Sequence, residues 1–297
     1  MPAQCYVVVI NPRSGRRRGN GVLEKVESIL SATGAKLDIR VTQYPRHATE
    51  IARTLDLASY AGICVIGGDG TVHEVADGLM QRGEPVLIPL GIIPAGTGNT
   101  LHEHIRGDQA LDAARRILVG KTQALDVARV TTNGHTIYCV NIVGWGAVAD
   151  INGTAEKLRW LGRSRYSLAA LWHIAQPRRR RIRLRLEESI VDDDFLFVIG
   201  CNTKFTGAGM KLAPHAEIDD GKIDVVVVRR ASRRQLLRLF TKVFDGSHLA
   251  LNYVEYHQVR SFAIESDGHE PLDLDGETKG HAPMTVEVQP AALRVFA

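Results

Sequence analysis

The chain has 297 residues, 44% of them apolar and 24% charged, with a formal net charge of +4. That length suits about two globular domains, and no apolar run approaches the roughly 18 residues that would span a bilayer. The four cysteines (Cys5, Cys64, Cys139, Cys201) lie in or beside apolar runs without a CxxC pair, which excludes a zinc ribbon and marks them as reduced core thiols. No charged leader precedes an apolar core, so a cytoplasmic protein is expected.

In chain order, Tyr6–Ile10 reads as a strand broken by Asn11-Pro12-Arg13-Ser14-Gly15. Asn20 is placed to cap a helix through Leu30, with Val22, Leu23, Val26, Ile29 and Leu30 on one face. Lys36–Thr42 is a second strand and His47–Leu55 a helix. Ile63–Ile66 is a buried strand that stops at Gly67-Gly68-Asp69-Gly70, and a helix pattern starts at Thr71. Val86–Ile93 is a strand region ending in Pro94-Ala95-Gly96-Thr97-Gly98-Asn99, followed by helices through Leu101 and Ile105 and over Asp108–Val119. This alternation predicts a doubly wound, parallel α/β domain.

Near residue 123 the pattern changes. Ala124–Thr131 and His135–Val143 are strand-like and joined by Thr132-Asn133-Gly134, a hairpin signal. Arg181–Leu186 alternates strictly, and Asp194–Asn202, Ile223–Val228, His257–Ile264 and Met284–Gln289 add strands. Helices are expected at Thr154–Ala175 and Ser232–Phe244. The reading is an α/β domain over residues 1–125 and an antiparallel β-sandwich with inserted helices over 126–297, with a return of the last residues to the first domain left open.

Two glycine-rich turns, 67–70 and 96–98, each follow a strand. Glycine lets a backbone approach phosphate closely, and a helix N-terminus favours an anion. A carboxylate such as Asp69 is costly beside phosphate unless it binds a metal or takes a proton, which points to chemistry there. Neither a Walker A motif nor GxGxxG is present. Leu274-Asp275-Gly276-Glu277 is a further acidic signature that a plain β-turn also explains. His102, Glu103 and His104 are adjacent on a helix and do not face one another, which argues against a metal site.

Asn11-Pro12-x-Ser14-Gly15, Gly67-Gly68-Asp69-Gly70-Thr71-x-x-Glu74-Val75, Pro94-Ala95-Gly96-Thr97-Gly98-Asn99 and Asp275-Gly276-Glu277, in that order, resemble the lipid kinase family of diacylglycerol, sphingosine and ceramide kinases. Pro214-x-Ala216-x-Ile218-Asp219-Asp220-Gly221-Lys222-Ile223-Asp224-Val225 resembles the signature of that family's second domain. The resemblance implies ATP and Mg²⁺ bound in a cleft between an α/β domain and a β-sandwich. It implies phosphate and nucleotide contacts from Asn11, Arg13, Ser14, Thr42, Gly67, Gly68, Gly70, Thr71, Gly96, Thr97, Gly98, Asn99 and Gly276. Asp69 would take the proton of the attacking lipid hydroxyl and Glu277 would help to hold Mg²⁺ or its waters. Asp219 and Asp220 are candidate cation ligands, and Glu74, Asp150 and Asn152 candidate substrate contacts.

The segment Gly144–Tyr166 is closest to sphingosine and ceramide kinases, where arginines at the positions of Arg159 and Arg165 contact nucleotide phosphates. Two departures stand out. Asn152 occupies a position that sphingosine kinases usually fill with an acid able to pair with a substrate amine, and Thr100 replaces an aspartate found in many bacterial relatives. The implied activity is ATP-dependent phosphorylation of a lipid hydroxyl on a diacylglycerol, a sphingoid base or a ceramide-like lipid. The alternatives are an NAD kinase or a non-catalytic nucleotide- or lipid-binding protein.

Arginines cluster at 16–18, 178–185 and 229–238. The helix Ser232–Phe244 is amphipathic. It is expected to pack on the β domain, with shallow membrane attachment as the alternative, and the Arg178–Arg185 face is a second docking candidate. Nucleic acid is not an expected partner, because no aromatics interleave with these arginines. A cytoplasmic enzyme in transient contact with a membrane follows.

Overall fold

The computed structural model describes residues 5–17, 19–32, 34–162 and 164–297, with the side chains of 16, 17, 159 and 208 outside the description. It divides into two compact units, one of residues 1–126 with 291–297 and one of residues 127–290.

The first unit alternates strand and helix: β1 (Cys5–Ile10), α1 (Ser14–Arg17), α2 (Gly19–Ser31), β2 (Lys36–Val41), α3 (His47–Thr54), β3 (Gly62–Gly67), α4 (Asp69–Met80), β4 (Leu90–Pro94), α5 (Thr100–Ile105) and α6 (Ala110–Val119). The strands pair in parallel in the order β2-β1-β3-β4, and Val295 near the chain's end pairs with Leu90 of β4. The order places a topological switch point between β1 and β3, the position at which open α/β sheets bind ligands. Val7, Val8, Val9 and Ile10 of β1 and Ile63–Ile66 of β3 are fully buried, as expected for central strands covered on both faces. The last residues belong to this unit, tied down by the Ala291 N–H, which donates to Asp126 at 2.7 Å.

The chain crosses between units within β5 (Thr122–Thr132). The second unit adds β6 (His135–Cys139), β7 (Ile142–Gly146), α7 (Ala147–Lys157), α8 (Ser164–Ala175), β8 (Arg180–Leu186), β9 (Ser189–Phe195), β10 (Phe197–Cys201), β11 (Ile223–Val228), α9 (Arg233–Lys242), β12 (Glu255–Val259), β13 (Ser261–Glu265), β14 (Pro271–Leu274), β15 (Glu277–His281) and β16 (Met284–Phe296), the last of which leads back to the first unit. One sheet runs β12-β11-β10-β7-β14-β15; the other contains β13 between β16 and β8, with β9 beyond β8 and β6 paired to β5. Trp145, Val198, Val225 and Leu272 from the first sheet share a core with Ile182, Leu184, Phe262 and Met284 from the second, which makes the unit a β-sandwich. α9 packs on the outer face through Leu236, Leu239 and Val243, and its N-terminus is closed by a capping box between Ser232 and Gln235.

Several elements differ from the sequence expectations. Asn20 lies inside α2, and α4 starts at Asp69 with Gly68 as its cap, two residues before the apolar periodicity begins. Residues 86–89 stay outside β4. His135–Val143 divides into β6 and β7, which lie in different sheets, and His257–Ile264 divides in the same way into β12 and β13. Asp194–Asn202 is the end of β9 followed by β10, and the helix expected over Thr154–Ala175 is α7, a 3₁₀ turn at Arg159–Leu161 and α8. Each break is a place where an apolar run changes its packing partner, and periodicity carries no signal for such a change.

Candidate active site

In the first unit, three turns converge beyond the carboxyl ends of β1, β3 and β4. The Asn11 N–H donates to the Ile66 carbonyl at 3.1 Å, which joins the first turn to the end of β3. The Asn11 side chain is used at both ends: Nδ2 donates to Thr71 Oγ1 at 3.2 Å, and Oδ1 accepts the Arg13 N–H at 3.0 Å. Asn99, in the left-handed region at φ 58°, accepts the Gly96 N–H at 2.9 Å and donates to the Gly96 carbonyl at 3.2 Å, closing the third turn on itself.

The glycines here are required by contact. A Cβ on Gly96 would stand 2.4 Å from Gly68 Cα, and one on Gly15 2.0 Å from the Ala95 carbonyl oxygen. Both obstacles are backbone, which cannot move aside as a side chain tip would.

Asp69 sits where the second and third turns meet. As the first residue of α4 it lies at the positive end of the helix. Its Oδ1 accepts the Thr100 N–H at 2.5 Å. Its Oδ2 lies where a Cβ on Gly98 would come within 2.2 Å. The carboxylate is therefore held against the backbone of the third turn and is half-buried.

The other residues expected in this unit take varied places. Ser14 Oγ lies 3.5 Å from the Cβ position of Gly68. Thr42 follows β2 beside β1, its N–H donating to the Ile10 carbonyl at 2.9 Å. Arg13 and Thr97 are exposed at the rim. Gly70 and Thr71 form the first turn of α4. Glu74 lies against the start of α3. Its two oxygens accept the backbone N–H groups of Arg46, at 3.0 Å, and Ala48, at 3.2 Å, so it caps α3, for which Arg46 supplies no side-chain cap. Both of its oxygens therefore meet backbone at the α3 N-terminus, a structural role for a residue expected to contact substrate.

In the second unit the acidic signature forms the β14–β15 turn, with Asp275 at φ 53° and Gly276 at φ 86°. The Asp275 carboxylate accepts three consecutive N–H groups, from Val140 at 2.9 Å, Asn141 at 2.8 Å and Ile142 at 2.9 Å. Those donors lie at the break between β6 and β7, so one carboxylate holds the chain as it changes sheets. Glu277, at the start of β15, is paired with Lys279 at 2.5 Å.

Asp273 is a residue the sequence reading missed. It is buried and accepts the Gly276 N–H at 2.9 Å and the Asn152 side-chain N–H at 3.2 Å. Burial pushes its carboxyl up to about 8, with the negative charges of Asp275, Glu156 and Glu277 adding to the rise and the Gly276 hydrogen bond opposing it. The available signal was the unusual presence of two acids in Pro271-Leu272-Asp273-Leu274-Asp275, an otherwise apolar strand.

Asn152 is buried, and its Oδ1 has no hydrogen-bond partner among the described residues. Asp150 is ion-paired with Arg180 at 2.7 Å. Arg165 reaches Glu156 at 3.3 Å, donates to the Tyr166 hydroxyl at 2.8 Å and lies 4.7 Å from that ring's centroid. The Arg159 and Arg16–Arg18 expectations rest on side chains outside the described residues. Asp219 and Asp220 are exposed, and Asp220 accepts the Lys222 N–H at 2.9 Å in a turn. Among the described residues, neither joins Glu277 in a cluster of three metal-ligating side chains.

Residues 5–130 match the diacylglycerol kinase catalytic domain, and residues 141–297 match the YegS C-terminal NAD kinase beta sandwich-like domain. A diacylglycerol kinase of Mycobacterium tuberculosis is 34% identical over 79% of this chain and 76% of its own length. Sphingosine kinase 1 of Arabidopsis thaliana is 28% identical over 98% of this chain and 71% of its own. The fold matches a solved diacylglycerol kinase from Bacillus anthracis, with TM-score 0.74 and 20% identity over 99% of this chain and 96% of that one. It also matches an NAD kinase from Archaeoglobus fulgidus in complex with ATP, at TM-score 0.54 and 12% identity over 99% and 93%. The chain belongs to the lipid kinase family of diacylglycerol and sphingosine kinases.

Proposed function

We propose that this kinase transfers the γ-phosphate of ATP to a hydroxyl of a lipid, with Asp69 receiving the hydroxyl proton. The observation that carries this reading is Asp69 itself, a carboxylate fixed at a helix N-terminus where two glycine turns meet. The turns at 11–15, 67–71 and 96–99 support a polyphosphate reading: their glycines let the three backbones meet closely, and the α4 N-terminus offers N–H groups and positive potential. An ordinary carboxylate is a weak base for an alcohol. Because the transferred phosphoryl group is only loosely bonded in the transition state, orienting the hydroxyl matters more than base strength. Asp69 would accept the proton late, as the new P–O bond forms.

Magnesium would neutralise charge on the phosphates. A sparse donor set suits it, since magnesium keeps most of its waters and takes one or two carboxylates. Glu277 is assigned to those waters. Its partner Lys279 lies two residues along the same strand, and both side chains are partly exposed.

Asn152 in place of an acid, with its buried Oδ1 unpartnered, supports a neutral polar head such as the hydroxyls of diacylglycerol or ceramide over a charged amine. The test is transfer of labelled γ-phosphate to diacylglycerol, ceramide, sphingosine and NAD in mixed micelles, with Asp69→Asn alongside. Label in a neutral lipid, lost in the variant, is the expected result. Label confined to NAD overturns the lipid reading, and undiminished transfer by the variant overturns the role of Asp69.

A further inference from the structure

Helix α5 has six residues, well below the roughly 12 at which an isolated helix becomes even marginal in water. Its first residue, Thr100, supplies the N–H that Asp69 Oδ1 accepts at 2.5 Å. Its N-cap residue, Asn99, gives the helix no side-chain hydrogen bond, because that amide is spent on Gly96. The direction of the Thr100 N–H must therefore be set by contacts outside the helix's own ladder.

His102, two residues further on and 2% exposed, makes those contacts. Its backbone carbonyl accepts the N–H groups of Arg106 and Gly107, each at 3.0 Å, which closes the helix. Its side chain reaches the same loop: Nε2 donates to the Asp108 carbonyl at 2.9 Å and lies 3.1 Å from Asp108 Oδ1. Both neighbours of Nε2 are acceptors, so this nitrogen carries a proton. Nδ1 is buried and has no hydrogen-bond partner among the described residues. The Asp108 carboxylate is in turn ion-paired with Arg116 of α6. That helix is fixed to the sheet: Ala113, Ala114 and Ile117 are fully buried in one core with Ile66 and Ile93. A continuous set of contacts thus runs from the sheet through α6, Arg116, Asp108 and His102 to Thr100.

The geometry points to His102 as a positioning residue for Asp69, tying α5 to α6 so that the Thr100 N–H keeps the carboxylate aimed. A packing role would need only the volume of the ring. The positioning role needs the N–H at Nε2, and substitutions can separate the two. Small misplacements of a reacting group cost up to about 10²-fold in rate, so a tie of this kind acts on turnover. The inference rests on the reading of Asp69 as the proton acceptor.

The experiment pairs transfer of labelled phosphate to diacylglycerol in mixed micelles with hydrogen–deuterium exchange of the free enzyme. His102→Gln places an amide nitrogen near the position of Nε2 and should keep kcat within about threefold of wild type. His102→Leu keeps the volume and loses the donor. Its kcat should fall by about ten- to a hundredfold while the KM for ATP stays constant. His102→Asn, with an amide too short to reach Asp108, should fall likewise, and it carries the comparison should the leucine enzyme not fold. In both impaired variants deuterium uptake over residues 99–106 should be about fivefold faster, with Ala110–Val119 unchanged. Added to Asp69→Asn, His102→Leu should cost no more than about twofold further, because the group it positions is already disabled. Glu103→Gln, exposed on the same helix, should leave kcat unchanged.

Wild-type kcat in the leucine and asparagine variants overturns the proposal. So does a glutamine variant as impaired as the leucine one, which would reduce His102 to its shape. A full further loss from His102→Leu in the Asp69→Asn background also overturns it, as does unchanged exchange over residues 99–106. Undiminished transfer by Asp69→Asn would instead sink the reading of Asp69, and the tie between His102 and α5 would then be judged by exchange alone.

Discussion

Two Asp-Gly turns in this chain share their letters and differ in their work. Asp69-Gly70 opens α4, and Asp275-Gly276 joins β14 to β15. The Asp275 carboxylate accepts three backbone N–H groups from one short segment and is itself buried. The Asp69 carboxylate accepts the Thr100 N–H at the meeting point of two glycine turns and stays half-buried. A carboxylate surrounded by donors from one strand break is a staple. One held at a helix N-terminus where two glycine turns meet is the one we propose to meet a substrate. The surroundings of each carboxylate, more than its motif, assign its role.

The sharpest break of this comparison is Asp69→Asn. The amide keeps the shape and an oxygen for the Thr100 N–H but cannot take a proton. Phosphoryl transfer should fall by about 10²- to 10⁴-fold, the usual contribution of a positioned acid–base group. ATP affinity and the unfolding midpoint should stay near wild type, as titration calorimetry and thermal melts would show.

Asp275→Ala should do the reverse. Three N–H groups lose their charged acceptor at the β6–β7 break, at a cost on the order of 3 kcal/mol or more. The expected result is a clearly lower denaturant midpoint, with activity lost in proportion to the unfolded fraction. A folded, stable and inactive Asp275→Ala enzyme would mean that this turn belongs to the chemistry and that the contrast with Asp69 is wrong.

Much of this was legible in the sequence, for a local reason. The glycine turns, the Asn11 and Ser14 turn and the strands feeding them are short segments whose letters encode their own backbone needs. The capping box at Ser232 and Gln235 and the Asn133-Gly134 hairpin are of the same kind. What stayed hidden was set by distant partners. The split of His135–Val143 into strands of different sheets depends on Asp275, more than 130 positions away. The role of Glu74 depends on a helix 26 residues upstream that lacks its own side-chain cap.

Asp273 extends the comparison to pH. Its folded carboxyl titrates at about 8, far above the ordinary carboxylate value near 4, because it is buried among other acids. The folded state therefore binds a proton that the unfolded state releases. The stability this group lends is complete below about pH 4 and declines as pH rises, until it is lost above about pH 8. Asp273→Asn, which is neutral throughout, should flatten the dependence of unfolding free energy on pH between those limits and gain on the wild type at alkaline pH. An unchanged slope would show that Asp273 stays ionised in the fold.

The smallest effect expected is also the one that separates the two roles considered for Glu74. If it caps α3, Glu74→Gln keeps one acceptor oxygen and loses the charge and the second hydrogen bond at the helix N-terminus. Such a loss costs about 1 kcal/mol. Chemical denaturation should show that decrease while the KM for lipid stays constant, since both oxygens are held at the α3 backbone. A raised KM at unchanged stability would mean that the carboxylate leaves α3 when lipid arrives. It would then behave like Asp69 and not like Asp275, and backbone occupancy would no longer separate staple from site.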